Sequence, residues 1–243
     1  MMSKLPILSM ILGAYGAVFR NIGTLIRAFT LPALALLVLS AIQDSMSAGF
    51  LKTALFWFIA LPFTTLIAIA CHRVVQLGPD SLNNPWSVYW TKRETAYFIN
   101  LIILSIVLLL GSWIFGVIFL MSPETPFGIS TPWLGMVLTY IAVAYIQGRF
   151  SMVLPVSAIG KNMFLSGSWY LTAGNGPRMT TILLIPLAVM FGITSMLRPA
   201  LLQLPDIAGL LINLLVYVVS FAVEIAALSL CYQFLRDSAN SSN

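Results

Sequence analysis

Thr95-Ala-Tyr-Phe-Ile-Asn100-Leu-Ile-Ile-Leu-Ser105-Ile-Val-Leu-Leu-Leu110-Gly-Ser-Trp-Ile-Phe115-Gly-Val-Ile-Phe-Leu120-Met121 runs through the middle of the chain without one Asp, Glu, Lys or Arg. A bilayer core of about 30 Å needs about 20 such residues in a helix rising 1.5 Å each. The apolar residues are continuous and do not alternate with period two. With no water to satisfy the backbone inside lipid, that pattern specifies a transmembrane helix and not a barrel strand.

Working outward, five more stretches read the same way: 24–43, 53–75, 133–155, 179–197 and 207–235. Composition agrees. Sixty per cent of the 243 residues are hydrophobic and 8% are charged, against roughly a quarter charged in a soluble domain. A water-soluble fold would lack the polar surface it needs. The expected fold class is an all-α integral membrane protein. It has six transmembrane helices in one membrane domain over 1–236, followed by a polar, disordered tail at 237–243.

The basic residues give the spans an orientation. Six spans put Lys4, Arg20, Arg27, Arg73, Lys92, Arg93, Arg149, Lys161, Arg178 and Arg236 on one side, and only Lys52 and Arg198 on the other. Basic residues stay with cytoplasmic loops, so both termini are expected in the cytoplasm. The net charge of +5 follows from this bias. No run of basic residues points to nucleic acid. A short outer turn is expected at Ser122-Pro123-Glu124-Thr125-Pro126. Trp86, Tyr89, Trp90, Trp133, Trp169 and Tyr170 stand at span ends, where amphipathic rings favour the headgroup level.

The first twenty residues admit two readings. Lys4, an apolar run and small residues at 13–17 resemble a cleaved signal peptide. Alternatively, Ser9, Gly13, Gly16 and Arg20 recur at helical spacing opposite Leu8, Ile11, Leu12, Tyr15 and Phe19, which reads as an interfacial helix over about 4–21. An internal repeat favours the helix. An offset of 154 lays Tyr15 on Trp169, Asn21 on Asn175 and Pro32 on Pro186. An offset of 76 lays Arg73 on Arg149 and Pro79 on Pro155. The implied unit is an amphipathic helix, a span, a turn and a span back, used three times. The segment 86–93 takes the place of the second amphipathic helix.

Few residues carry chemistry. Nucleophile elbows, zinc-binding helices and phosphate loops are all missing. Cys71, Cys231 and the single His72 make no metal or redox spacing. The sequence therefore implies no catalytic residue, no metal and no cofactor. Glu224 stands out because a carboxylate in hydrocarbon costs about 2.5–3.5 kcal/mol on insertion scales. It either carries protons or substrate, or fastens helices through Asn100, Gln147, Asn213 or Arg149. Arg73 and Arg149, each six residues before a proline, either grip lipid phosphate or snorkel to the headgroups.

Two segments bear a family likeness. Tyr145-Ile-Gln-Gly-Arg149-Phe-Ser151-Met-Val-Leu-Pro155 and Ser168-Trp169-Tyr-Leu-Thr172-Ala-Gly174-Asn175, with the ending Leu230-Cys-Tyr232-Gln-Phe-Leu235-Arg236, resemble a bacterial six-span inner-membrane family. That family includes the membrane domain of some glycerophosphodiester phosphodiesterases and the uncharacterised YciC-like proteins. The likeness implies a six-helix membrane fold. It does not imply phosphodiesterase activity, which belongs to a separate soluble domain. Candidate contacts to lipid or to a partner are Arg73, Arg149, Glu224, Trp169 and Asn175. The expected role is a non-enzymatic scaffold or accessory subunit of a membrane complex, among membrane lipids. The alternative is a transporter or lipid-handling protein.

Overall fold

The structure, a computed structural model, describes residues 4–45, 49–82, 89–120, 131–201 and 206–240. Within them lie α1 (Ile7–Arg20), α2 (Ile22–Ser45), α3 (Phe50–Leu77), α4 (Lys92–Leu120), α5 (Thr131–Phe150), α6 (Val153–Ala158), α7 (Leu165–Leu171), α8 (Gly176–Leu201) and α9 (Asp206–Asn240). One 3-10 turn occupies Pro79–Ser81, and the described residues contain no strand. The helices α2, α3, α4, α8 and α9, and the stretch running through α5 into α6, are long and apolar enough to span a membrane. The chain is an all-α multi-pass membrane protein. The predicted turn at 122–126, Trp86 and residues 241–243 fall outside the described residues.

Consecutive spans pair as three hairpins: α2 with α3, α4 with α5, and α8 with α9. The spans α3, α4, α5, α8 and α9 are joined neighbour to neighbour into a closed ring, and α2 stands outside it against α3. The short α6 packs on α3, α4 and α9, and every one of its residues is buried. Burial concentrates at one end of the bundle, the end that carries the basic residues. There, 67–72, 151–158 and 225–229 are buried without interruption, whereas α4 and the far half of α8 expose many of their apolar side chains. Exposed leucines and isoleucines on spans meet lipid at no cost.

The boundaries depart from expectation in three places, each for a local reason. The span placed at 133–155 breaks after Phe150, and Pro155 sits inside α6. A proline ring collides with the carbonyl four residues earlier, here that of Ser151, so the helix breaks upstream of the proline itself. The introductory helix expected at 86–93 is not formed where the chain is described, because Tyr89–Thr91 are non-helical and α4 begins at Lys92. Thr91 and Glu94 form a capping box that fixes this start. The Glu94 carboxylate accepts from the Thr91 N–H at 2.8 Å and from its hydroxyl, while the Arg93 N–H donates to Thr91 Oγ1 at 3.3 Å. Lastly, the tail is helical as far as Asn240. No Gly or Pro interrupts 236–240, and extending an existing helix costs little.

The first and third hairpins share their entry geometry. The offset of 154 carries Ile22, the first residue of α2, onto Gly176, the first of α8. Asn21 and Asn175 each donate a backbone N–H to the residue three back, Val18 and Thr172. Each then accepts from the residue four ahead, Leu25 and Met179. Ala14 with Ser168 and Phe29 with Leu183 are matched buried pairs. The preceding helices differ, since α1 has 14 residues and α7 has seven.

Helix α1 is built into this core. Ile11, Ala14, Ala17 and Val18 are buried against the bundle, mainly on α9 and α8, while Leu8, Leu12 and Phe19 form an exposed apolar stripe. Ahead of it, both backbone groups of the buried Leu5 are engaged. Its N–H donates to Asn175 Oδ1 at 2.8 Å, and its carbonyl accepts from Arg178 Nη1 at 2.5 Å. The beginning of the chain is thereby fastened to the α7–α8 junction.

Candidate functional site

The side chains expected to carry function lie toward the buried, basic half of the bundle: Arg73 near the end of α3, Arg149 at the end of α5, Trp169 on α7, Asn175 just ahead of α8 and Glu224 midway along α9. Arg149 lies in the last turn of α5 and is only 5% exposed. Its guanidinium stacks on Trp169, 4.1 Å from the ring centre, and Nη1 donates to the carbonyl of Thr172, just past the end of α7. No carboxylate lies within ion-pair distance of it among the described residues. The charge is balanced instead by the C-terminal ends of α5 and α7, whose free carbonyls carry partial negative charge, and by the indole face. Reciprocally, the Arg149 carbonyl accepts from the hydroxyl of Ser168 at 2.8 Å, and the Thr172 hydroxyl donates to the Ser168 carbonyl at 2.8 Å. The Ser168 hydroxyl oxygen also accepts the Met152 N–H at 3.2 Å, which caps the broken end of α5. Two sequence candidates, Arg149 and Trp169, therefore form one unit with Ser168 and Thr172. The guanidinium points into the protein and not out to the headgroups.

Asn175 lies immediately beyond, holding Leu5 as described. Arg73 is apart from this group. It is half-buried and donates from Nη2 to the carbonyl of Ser81 at 2.6 Å, closing the 3-10 turn after α3. The repeat-matched arginines thus each bond a backbone carbonyl, in different surroundings.

Glu224 is joined to Gln147, whose Nε2 donates to its Oε1 at 3.1 Å and links α9 to α5 across the ring. The other sequence candidates for this carboxylate are turned elsewhere. Asn100 donates to Ser157 Oγ at 2.7 Å, tying α4 to α6, and Arg149 faces Thr172. Asn213 is exposed three helical turns away along α9.

The sequence reading passed over a second cross-brace, from α3 to α9. His72 is fully buried and its Nδ1 lies 2.7 Å from Ser229 Oγ. The Ser229 hydroxyl already donates to the Ile225 carbonyl at 3.0 Å, and it has a single hydrogen. With that hydrogen on the Ile225 carbonyl the imidazole donates from Nδ1, and in either tautomer Nε2 lies in the core without a partner among the described residues. One turn further on, Gln76 donates to the Pro155 carbonyl at 3.0 Å and accepts, through its backbone carbonyl, from Gln233 at 3.4 Å. The thiol of Cys71 donates to the Ala222 carbonyl at 3.3 Å. The available signal was a set of small polar residues in apolar spans, Ser157 and Ser229, which commonly bond across membrane helices. The chain was also compared with known proteins. No family model, curated protein or solved structure matches it.

Proposed function

We propose that the protein is a non-enzymatic scaffold or accessory subunit of a membrane assembly, set in a bacterial inner membrane with both termini cytoplasmic and related to the six-span family it resembles. One observation supports this reading above others: the chemistry-bearing side chains of the spans are spent on joining helices to one another. Gln147 with Glu224, His72 with Ser229, Asn100 with Ser157, and Arg149 with Thr172 and Trp169 each cross from one helix to another. Transport, the rival reading, calls for polar groups open to a pathway near mid-membrane. Here the Oε1 of Glu224 is engaged by Gln147.

Purification of the tagged protein in mild detergent, with mass spectrometry of what accompanies it, tests the proposal. A polypeptide recovered in stoichiometric amount from both wild type and Glu224→Gln is the expected result. Glu224→Ala should lose about 0.6–1.7 kcal/mol of stability, the range measured for hydrogen bonds between membrane helices. A chain that purifies alone, or a Glu224→Gln variant that folds normally but loses a cellular phenotype shared with the deletion, would count against a scaffold.

A further inference from the structure

Between α2 and α9 the outer surface of the bundle carries a groove of about 400 Å³, within the roughly 300–1,000 Å³ of sites that hold small molecules. It arises because α2 leans on α3 and touches α9 only lightly, while α1 packs closely across α9 at the basic end. We propose that this groove seats an acyl chain of an anionic glycerophospholipid, with Arg20 and Arg27 holding its phosphate.

The lining requires an aliphatic occupant. It is apolar apart from Thr30, and that hydroxyl donates to the Ile26 carbonyl at 2.7 Å. The groove offers no polar group to fix a headgroup, a sugar or a polar substrate along its length. The lining also favours a flexible chain over a partner helix. Helices pack in lipid through small residues that let backbones approach, whereas this groove presents Ile26, Phe29, Leu214, Leu215 and Val218.

Charge is complementary at one end. Val18 and Ile22, which line the basic end of the groove, stand on either side of Arg20 in the chain, and Arg27 lies about 100° around α2 from the lining residue Ile26, within the reach of a long side chain. Both arginines are exposed, and neither has a carboxylate within 4 Å among the described residues. Arg20 donates from Nε to the Gly16 carbonyl at 3.1 Å, an orientation that leaves its two terminal amino groups unbonded. Arg27 sits five residues into α2, about 7.5 Å below its start. From that depth a guanidinium extends toward the headgroups and can fork onto phosphate oxygens. An aliphatic slot with two exposed arginines near its basic end, neither paired with a carboxylate among the described residues, suits a phospholipid with an anionic headgroup.

The test uses full-length protein in nanodiscs of phosphatidylcholine containing either phosphatidylglycerol or phosphatidylcholine with a photoreactive acyl chain. Peptide mapping follows labelling, and native mass spectrometry counts the retained lipid. In wild type, phosphatidylglycerol should label α2 and the 211–222 part of α9 at least fivefold above the exposed faces of α4 and α8. Arg20→Gln with Arg27→Gln should abolish the preference for phosphatidylglycerol over phosphatidylcholine while leaving some groove labelling. Ala33→Trp, which fills the slot, should remove groove labelling with both lipids. Thr139→Val, on α5 and away from the groove, should label like wild type and so serves as a folding control. Equal labelling of all lipid-facing helices, or an unchanged preference in the double arginine variant, would overturn the proposal. So would a polypeptide cross-linked in the groove that excludes lipid.

Discussion

At the residue scale, the interior is held by hydrogen bonds whose donors substitution can test. With the single proton of Ser229 on the Ile225 carbonyl, His72 donates from Nδ1. An Asn at this position can place its amide nitrogen close to where Nδ1 stands, whereas the longer Gln reaches toward the place of Nε2. His72→Asn should therefore retain more stability than His72→Gln, with a difference on the order of 1 kcal/mol, the usual net value of one hydrogen bond. Thermal unfolding followed in detergent provides the measurement. If Gln proves the better substitute, the donor lies at Nε2 and the assignment is wrong. The sequence singled out Glu224 because a carboxylate in an apolar run is costly wherever its helix lies. Its partner was not legible. Four side chains were within plausible reach, and the choice of Gln147 depends on the rotation and register of α5 against α9, which neither helix encodes alone. Arg149 illustrates the same limit. Its charge was visible in the chain, but the two helix ends that neutralise it meet only after α7 folds back on α5.

At the element scale, the six spans were legible because the bilayer imposes length and hydropathy on each run separately. What the runs did not show is where helices stop for reasons internal to the protein. The Pro155 break and the Thr91–Glu94 cap were both present in the text, as a proline and as Thr-x-x-Glu, but the continuous apolar signal concealed the first. The matching of α2 with α8 was legible as Asn21 with Asn175, which stand immediately before the two helices, and as Pro32 with Pro186, which take the same place within them. Contact between elements yields a sharper test. Gly148 stands one turn from Ala144 on the buried face of α5. A Cβ at Gly148 would meet the Met179 Cβ at 3.0 Å and the Thr180 backbone nitrogen at 3.3 Å. Gly148→Ala gains about 1 kcal/mol of helix propensity and loses a similar amount to this crowding, so it should melt close to wild type. Gly148→Val must push α5 and α8 apart and should cost about 1–3 kcal/mol, the range for overpacked cores. A Val variant as stable as wild type would show that the two helices do not approach so closely.

At the scale of the whole molecule, packing and charge point to the same end of the bundle. The buried core, the cross-braces, α6 and α7 lie where the basic residues lie, and the opposite halves of the spans are apolar and more exposed. The proposed orientation keeps this basic end on the cytoplasmic side, since moving Lys and Arg across the membrane is what the positive-inside bias resists. The two native cysteines make the orientation measurable without removing them. Cys71 and Cys231 are fully buried, so a membrane-impermeant maleimide should leave the wild-type chain unlabelled from either side. Single cysteines placed at the exposed positions Lys4 and Lys161 should then label in inverted vesicles and not in intact spheroplasts. Thr53→Cys, exposed at the other end of α3, should do the reverse. Swapped patterns for all three would keep the six spans and invert the molecule. Labelling of Lys4→Cys and Lys161→Cys from opposite sides would be more damaging, because an even number of crossings between them is what allows Leu5 to reach Asn175 and Arg178.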